Sequence, residues 1–130
     1  MVPKDISGVF EHAPIIFPDS ATDTESKPWY SPPGCYWFLL KDFMSEKETA
    51  GNLSYHMVMS QEQCEVPHHD HDVQWEWNVI LKGNGSFRLG TKNIKITAGQ
   101  TFATPPGVSH TVQAGSQELV LLAMFVPALV

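Results

Sequence analysis

QCEVPHHDHDVQWEWNVILKG, residues 63–83, places three of the chain's six histidines within four positions, His68-His69-Asp70-His71, and follows them with Glu76. Side chains on an extended strand alternate between its two faces. His69 and His71 therefore share one face, and His68 and Asp70 the other. After a short turn the run resumes, and Glu76, Asn78 and Ile80 point one way while Trp75, Trp77 and Val79 point the other. If the two segments pair, Glu76 joins His69 and His71 on an interior face. One inward histidine from a distant strand would then complete a His3Glu set. Neutral imidazoles and a carboxylate together suit a divalent first-row ion, leaving it a net charge of +1 and open positions for water or substrate. A solvated histidine patch is the competing explanation of the H-x-H pair taken alone.

Short apolar or β-branched runs extend outward from this stretch in both directions, separated by turn signals. CYWFLLKDF (35–43) is apolar on both faces, and LSYHMVMS (53–60) is strand-like. After residue 83 come SFRLG (86–90), NIKIT (93–97), QTFATP (100–105), SHTVQA (109–114) and ELVLLAMFV (118–126). Gly83-Asn84-Gly85, Gly90-Thr91-Lys92, Ala98-Gly99, Pro105-Pro106-Gly107 and Gly115-Ser116 punctuate them. Strands at intervals of about 8–12 residues with Gly or Pro between them predict an all-β antiparallel sandwich or small barrel with almost no helix. The polar stretch SEKETAGN (45–52) reads as a loop. Residues 1–34 carry six of the ten prolines among Ser, Thr and Asp and read as a mostly irregular arm. Within the arm Val9, Phe10, Ile15, Ile16 and Phe17 suffice for a short strand packed on the body or on a partner subunit. The expected division is an arm at 1–34 and one domain at 35–130.

Composition narrows the function classes. At 130 residues the chain suits a single core, and a domain of this size buries about two thirds of its unfolded-chain surface without needing a staple. Eight Lys and Arg against fourteen Asp and Glu give a net charge of −6, and Arg88 is the only arginine. That balance offers no basic footprint for nucleic acid or an anionic bilayer. Cys35 and Cys64 are too few for a disulfide framework and lack CxxC spacing, so both are expected as buried free thiols. The opening MVPKDISGVF has no secretory pattern, and no apolar run is long enough to span a membrane. A cytoplasmic protein is expected.

Two motifs then fit at once. Gln63, His69, His71, Glu76 and Gly83 follow the spacing G-x5-H-x-H-x3-4-E-x6-G at every position but the first. Gly99, Pro105, Gly107 and His110 follow G-x5-P-x-G-x2-H-x3-N, with Ala114 in place of Asn. In these spacings the chain resembles the cupin superfamily over roughly residues 53–126. The resemblance implies a jelly-roll β-barrel of the single-domain cupin type, with His69, His71, Glu76 and His110 as ligands of Fe, Mn, Ni, Zn or Cu. The punctuation has physical reasons of its own. Gly83 and Gly85 are expected to supply the positive φ of tight hairpins, and Pro105-Pro106-Gly107 a rigid turn that aims His110 inward. Gln63 fits provided its turn does not need positive φ.

Around that set, Asn78 is expected to hydrogen-bond either a substrate oxygen or the ligating carboxylate. Tyr55 and His56 have opposite parity, so one of them faces the interior, and His56 is the candidate acid or base. His12 and His68 read as non-ligands, and Arg88 as one half of a surface ion pair. Asn78, Ile80, Phe102, Val112 and Met57 or Met59 make a largely apolar pocket, which suits a small phenolic or keto/enol substrate. A metal-dependent oxygenase is the leading expectation, with Glu76, Asn78 and His56 as its catalytic residues. A non-oxidative cyclase, isomerase, dehydratase or decarboxylase is the alternative, and a ligand-binding module without catalysis is a second. An exposed sheet edge makes a homodimer the expected assembly.

Overall fold

The alternation seen in the sequence becomes two facing sheets. The structure is a computed structural model and describes residues 6–69 and 71–130, without the side chains of residues 67–69. In chain order the elements are α1 (Ile6–Glu11), β1 (Pro14–Phe17), β2 (Ser20–Asp23), a 3-10 turn at Thr24–Ser26, β3 (Trp29–Tyr30), β4 (Phe38–Met44), α2 (Glu46–Thr49), β5 (Ser54–Ser60), β6 (Glu65–His69), β7 (Trp75–Lys82), β8 (Asn84–Leu89), β9 (Lys92–Thr97), β10 (Thr101–Thr104), β11 (His110–Ala114) and β12 (Leu119–Val126). One sheet has the order β10-β7-β12-β5-β4-β3 and the other β6-β11-β8-β9, with β1-β2 a separate hairpin. All pairings are antiparallel. The fold is an all-β jelly roll of the cupin type, made by two sheets facing each other and not by one sheet closed on itself.

Strands apolar on both faces are explained by two separate cores. Alternate residues of β12, Leu119, Leu121, Ala123 and Phe125, enter the core between the sheets with Phe38, Val58, Ile80, Phe87, Ile96 and Val112. The intervening residues Val120 and Leu122 face outward, where they join Phe43 and Met57 under Phe10, Ile15 and Trp29 of the N-terminal segment. That segment is pinned by the buried Thr24 hydroxyl against the carbonyls of Glu11 and Ala13. Each fully buried Val, Leu or Phe side chain stabilises by about 1.5–3 kcal/mol, so covering the outer face matters as much as filling the barrel.

Several local expectations need correction. Segment 45–52 is not all loop: Ser45 caps α2, accepting from the Lys47 N–H, and the Glu48 carboxylate accepts from the Ser45 N–H in return. The S-x-x-E spacing of a capping box was present in the sequence. β6 does not pair with β7; it pairs with β11, while β7 lies in the opposite sheet between β10 and β12. The chain crosses between sheets after residue 69, so Glu76 faces the histidine segment across the barrel. Gly83 adopts φ +92°, but Gly85 is not left-handed. A Cβ at Gly85 would collide with the carbonyl of Gln113 on the neighbouring strand, so close approach is what demands glycine there. The cysteines are free but only half-buried. No helix among the described residues is long and apolar enough to cross a membrane.

Gln63 does adopt a left-handed φ, +61°, a region that disfavours residues with a Cβ by roughly 1–2 kcal/mol. Gln63→Gly relieves that strain and gives part of it back as unfolded-state entropy. The variant is expected to be more stable in urea unfolding by about 0.5–1 kcal/mol; a loss of stability would contradict the strain. The hydrogen bond from the Ser45 hydroxyl, opposed by burial and aided by the Ser45 N–H, holds the Glu48 carboxyl at about 2, below its ordinary 4.5. A depressed carboxyl contributes stability above its unfolded value and loses it as pH falls through the folded one. Glu48→Gln should therefore be less stable than the parent at neutral pH, with the gap closing between pH 4.5 and about 2. Unfolding curves at a series of pH values check this.

Candidate metal centre and cavity

Three side chains converge at one end of the space between the sheets. His71 follows β6, Glu76 lies on β7 and His110 opens β11, and one potential ligand atom from each lies within 4.8 Å of the others. Backbone features aim them. The Gly107 N–H donates to the His71 carbonyl at 2.7 Å, tying the histidine segment to the Pro105-Pro106-Gly107 turn. The β11–β6 register shifts between His110 and Val112, and such bulges re-aim side chains. His110 is 2% exposed and Glu76 6%.

The donor chemistry of the cluster asks for a cation. His110 Nδ1 lies 3.0 Å from the Val108 carbonyl, which can only accept, so Nδ1 carries the proton. In the neutral ring Nε2 then presents a lone pair toward Glu76 Oε1, 3.2 Å away. His71 Nε2 stands 3.2 Å from the same oxygen. With both rings neutral and Nε2 bare, two nitrogen lone pairs and a carboxylate oxygen face one point and repel one another unless a positive charge sits among them, a need that a divalent ion meets. Asn78 Nδ2 donates to the other carboxylate oxygen, Oε2, at 3.0 Å. Burial pushes the Glu76 carboxyl up, but hydrogen bonds from the His110 and His71 rings when their Nε2 atoms carry protons, with that of the Asn78 amide, outweigh it and hold the group well below the usual carboxylate range. Glu76 is thus an anion inside the protein.

The cluster opens into a cavity of about 300 Å³. Phe38, Leu40, Val58, Val66, Val112 and Phe125 form much of its wall, and Leu129 and Val130 of the C-terminal segment also line it. His56 lines it, whereas Tyr55 packs in the outer cluster. Ile80, in the core between the sheets, and Met57, in the outer cluster, are not among the residues that line it. Phe102 stacks on Phe87 with ring centres 4.3 Å apart.

A second polar group faces this cavity. His56 Nδ1 donates to Asp42 Oδ1 at 2.8 Å, Nε2 accepts from the Ser54 hydroxyl at 2.9 Å, and the Leu129 N–H donates to the same hydroxyl oxygen. The Tyr30 hydroxyl donates to the Asp42 carboxylate. Burial raises the Asp42 carboxyl, yet the hydrogen bonds from His56 and Tyr30 prevail and lower it. Phe125 stands between the two centres, its ring centre 5.5 Å from that of His56 and 5.0 Å from that of His71.

Of the residues singled out in the sequence, His71, Glu76, Asn78 and His110 meet in one place, and His56 shares their cavity. The His69 side chain and the whole of Asp70 lie outside the described residues; the His69 backbone pairs opposite His110. His12 sits at the surface against Glu25, Arg88 is exposed on β8, and the His68 side chain also lies outside the description. Asp42 and Tyr30 were missed. An aspartate inside the apolar run CYWFLLKDF was a signal for the first; no local pattern marks the second.

Comparison with known proteins gives a consistent picture. Residues 55–126 match the family described as Cupin domain. No curated protein matches the chain by sequence. Among solved structures, a predicted oxalate decarboxylase from Thermotoga maritima is similar with a TM-score of 0.72 and 20% identity, over 79% of this chain and 95% of that one. KdgF from Halomonas sp. has a TM-score of 0.67 and 16% identity, over 79% and 90%. An RmlC-like cupin from Shewanella frigidimarina has 0.69 and 18%, over 81% and 87%. At such identities the likeness is one of fold.

Burial, then the hydrogen bond and charge of Asp42, push the Tyr30 hydroxyl above its ordinary value of 10. Asp42→Asn removes the charge and should bring that titration down toward 10, read from tyrosinate ultraviolet absorbance. An unchanged curve would show that Asp42 does not govern Tyr30.

Proposed function

The chain belongs to the cupin family, and from that premise we propose that it is a metal-dependent enzyme acting on a small, mostly apolar organic molecule through one of that molecule's oxygen atoms. The observation that carries this reading is the meeting of His71, Glu76 and His110 at the polar end of an otherwise apolar cavity. His71, Glu76 and His110 would hold the ion, with His69 as the fourth ligand that the motif spacing supplies. Fe, Mn, Ni, Zn and Cu all suit imidazole and carboxylate donors. A bound first-row ion supplies a Lewis-acidic centre with open positions for a substrate oxygen.

The chain's own residues set what can enter. No Lys or Arg is among the described residues lining the cavity. A second carboxylate or a phosphate would therefore be buried against hydrocarbon without a countercharge, which is costly. A phenol or an enolisable ketone fits better, with one oxygen at the cluster and its carbon frame against Phe38, Val58, Val112 and Phe125. Asn78 holds Glu76 in orientation through Oε2. The leading assignment is an oxygenase, because an apolar wall excludes water from the reacting carbon and admits dioxygen. The substrate class differs from the oxalate named for one structural neighbour.

One observation favours a non-oxidative reading, a lyase or isomerase. His56, held by Asp42, provides a proton-transfer group in the same cavity. A cytoplasmic homodimer is the setting in which we place either activity.

Metal analysis of the purified protein is the test, with His71→Ala, Glu76→Ala and His110→Ala beside His56→Ala. The first three are expected to lose the ion and turnover and to stay folded, since the core does not depend on it; His56→Ala should keep the ion. Metal content unchanged across all four would end the assignment. Dioxygen uptake in the presence of simple phenols and β-diketones separates oxygenase from lyase: consumption supports the first, and turnover without it the second.

A further inference from the structure

Thr104 is 1% exposed, and its hydroxyl has no hydrogen-bond partner among the described residues. A hydroxyl buried without a partner costs free energy that an apolar side chain of the same shape would not. Its place in the fold is specific. β10 pairs with β7 so that Thr104 lies directly opposite Glu76 and Phe102 opposite Asn78. Paired residues of an antiparallel ladder point to the same face with Cβ atoms about 4.5–5.5 Å apart. Glu76 and Asn78 are both buried on the inward face, so Thr104 shares that face and borders the cluster. The carboxylate does not use it: Glu76 Oε1 faces His71 and His110, and Oε2 takes the Asn78 amide.

We propose that Thr104 is a positioning residue whose hydroxyl donates to the oxygen atom, from water or from substrate, that lies beside Glu76 when the cluster holds its ion. This rests on the reading of His71, Glu76 and His110 as an ion site. It assigns to the occupied site a hydrogen bond that the described groups of the protein leave unmade. The hydroxyl is then a cost to the empty fold and a gain to the loaded one, and the two effects have opposite signs in one substitution.

Thr104→Val keeps the shape and deletes the donor. The probe is Co2+, added to metal-free protein and followed by its visible absorption. The metal-free variant should melt a few degrees above the metal-free parent, since an unpartnered hydroxyl has gone. It should bind Co2+ about tenfold more weakly, the usual scale for a lost outer hydrogen bond, with an altered visible spectrum. Thr104→Ser keeps the donor and should bind within about threefold of the parent, well inside that scale. Parental Co2+ affinity in the valine variant overturns the proposal, as does a metal-free valine variant that melts below the parent, which would mean that the hydroxyl already has a structural partner. Equal weakening by serine and valine also overturns it, because packing and not donation would then be responsible. If the parent itself binds no Co2+, the ion site fails and this role fails with it, whereas a parent that binds while valine changes nothing sinks the Thr104 role alone.

Discussion

Two imidazole nitrogens are held 3.2 Å from the same oxygen of a buried carboxylate, and much of the barrel's construction serves to keep them there. Such a group of electron-pair donors does not assemble by itself inside hydrocarbon; it requires a framework that fixes each backbone before the side chains meet. The jelly roll does this with strands from two sheets, a hydrogen bond from Gly107 to the His71 carbonyl, and a bulge at His110. The Val108 carbonyl fixes the His110 tautomer and the Asn78 amide fixes the Glu76 plane. Rigid support for an internal anion follows directly from burying it.

The cavity depends on parts of the chain that resemble no motif. The N-terminal segment covers the outer face of the six-stranded sheet, so strands that are apolar on both sides can be buried on both sides. The same segment supplies Tyr30 to Asp42, which orients His56. At the other end Leu129 and Val130 complete the cavity wall, with the Leu129 N–H fixed to Ser54 and the Val130 carbonyl accepting from the Glu46 N–H at 2.7 Å. These segments give the cavity a second polar group and further apolar wall.

Likeness in fold and likeness in chemistry part company here. The three solved structures compared with this chain share its fold at 16–20% identity. Function resides in the side chains that line the site, and among the described residues the wall beside the His–Glu cluster holds no Lys or Arg.

Much was legible in the sequence because it depends on short-range rules. Short apolar or β-branched runs between Gly and Pro turn signals located β4 to β12 within a few residues, since a buried strand is short and the chain must turn at its end. The spacings from His71 to Glu76 and from Gly99 to His110 marked the cluster, because a ligand must sit at a set number of residues from the turn that aims it. Parity separated Tyr55 from His56 without saying which faced inward. That choice, like the pairing of β6 with β11, depends on which sheet a strand joins, and joining is a matter of long-range contacts that local pattern does not encode. Tyr30 reaching Asp42, Thr104 lying opposite Glu76, and Gly85 yielding to the Gln113 carbonyl were decided by tertiary structure alone, because each is a relation between residues distant in the chain that becomes definite only when the two sheets close on one core.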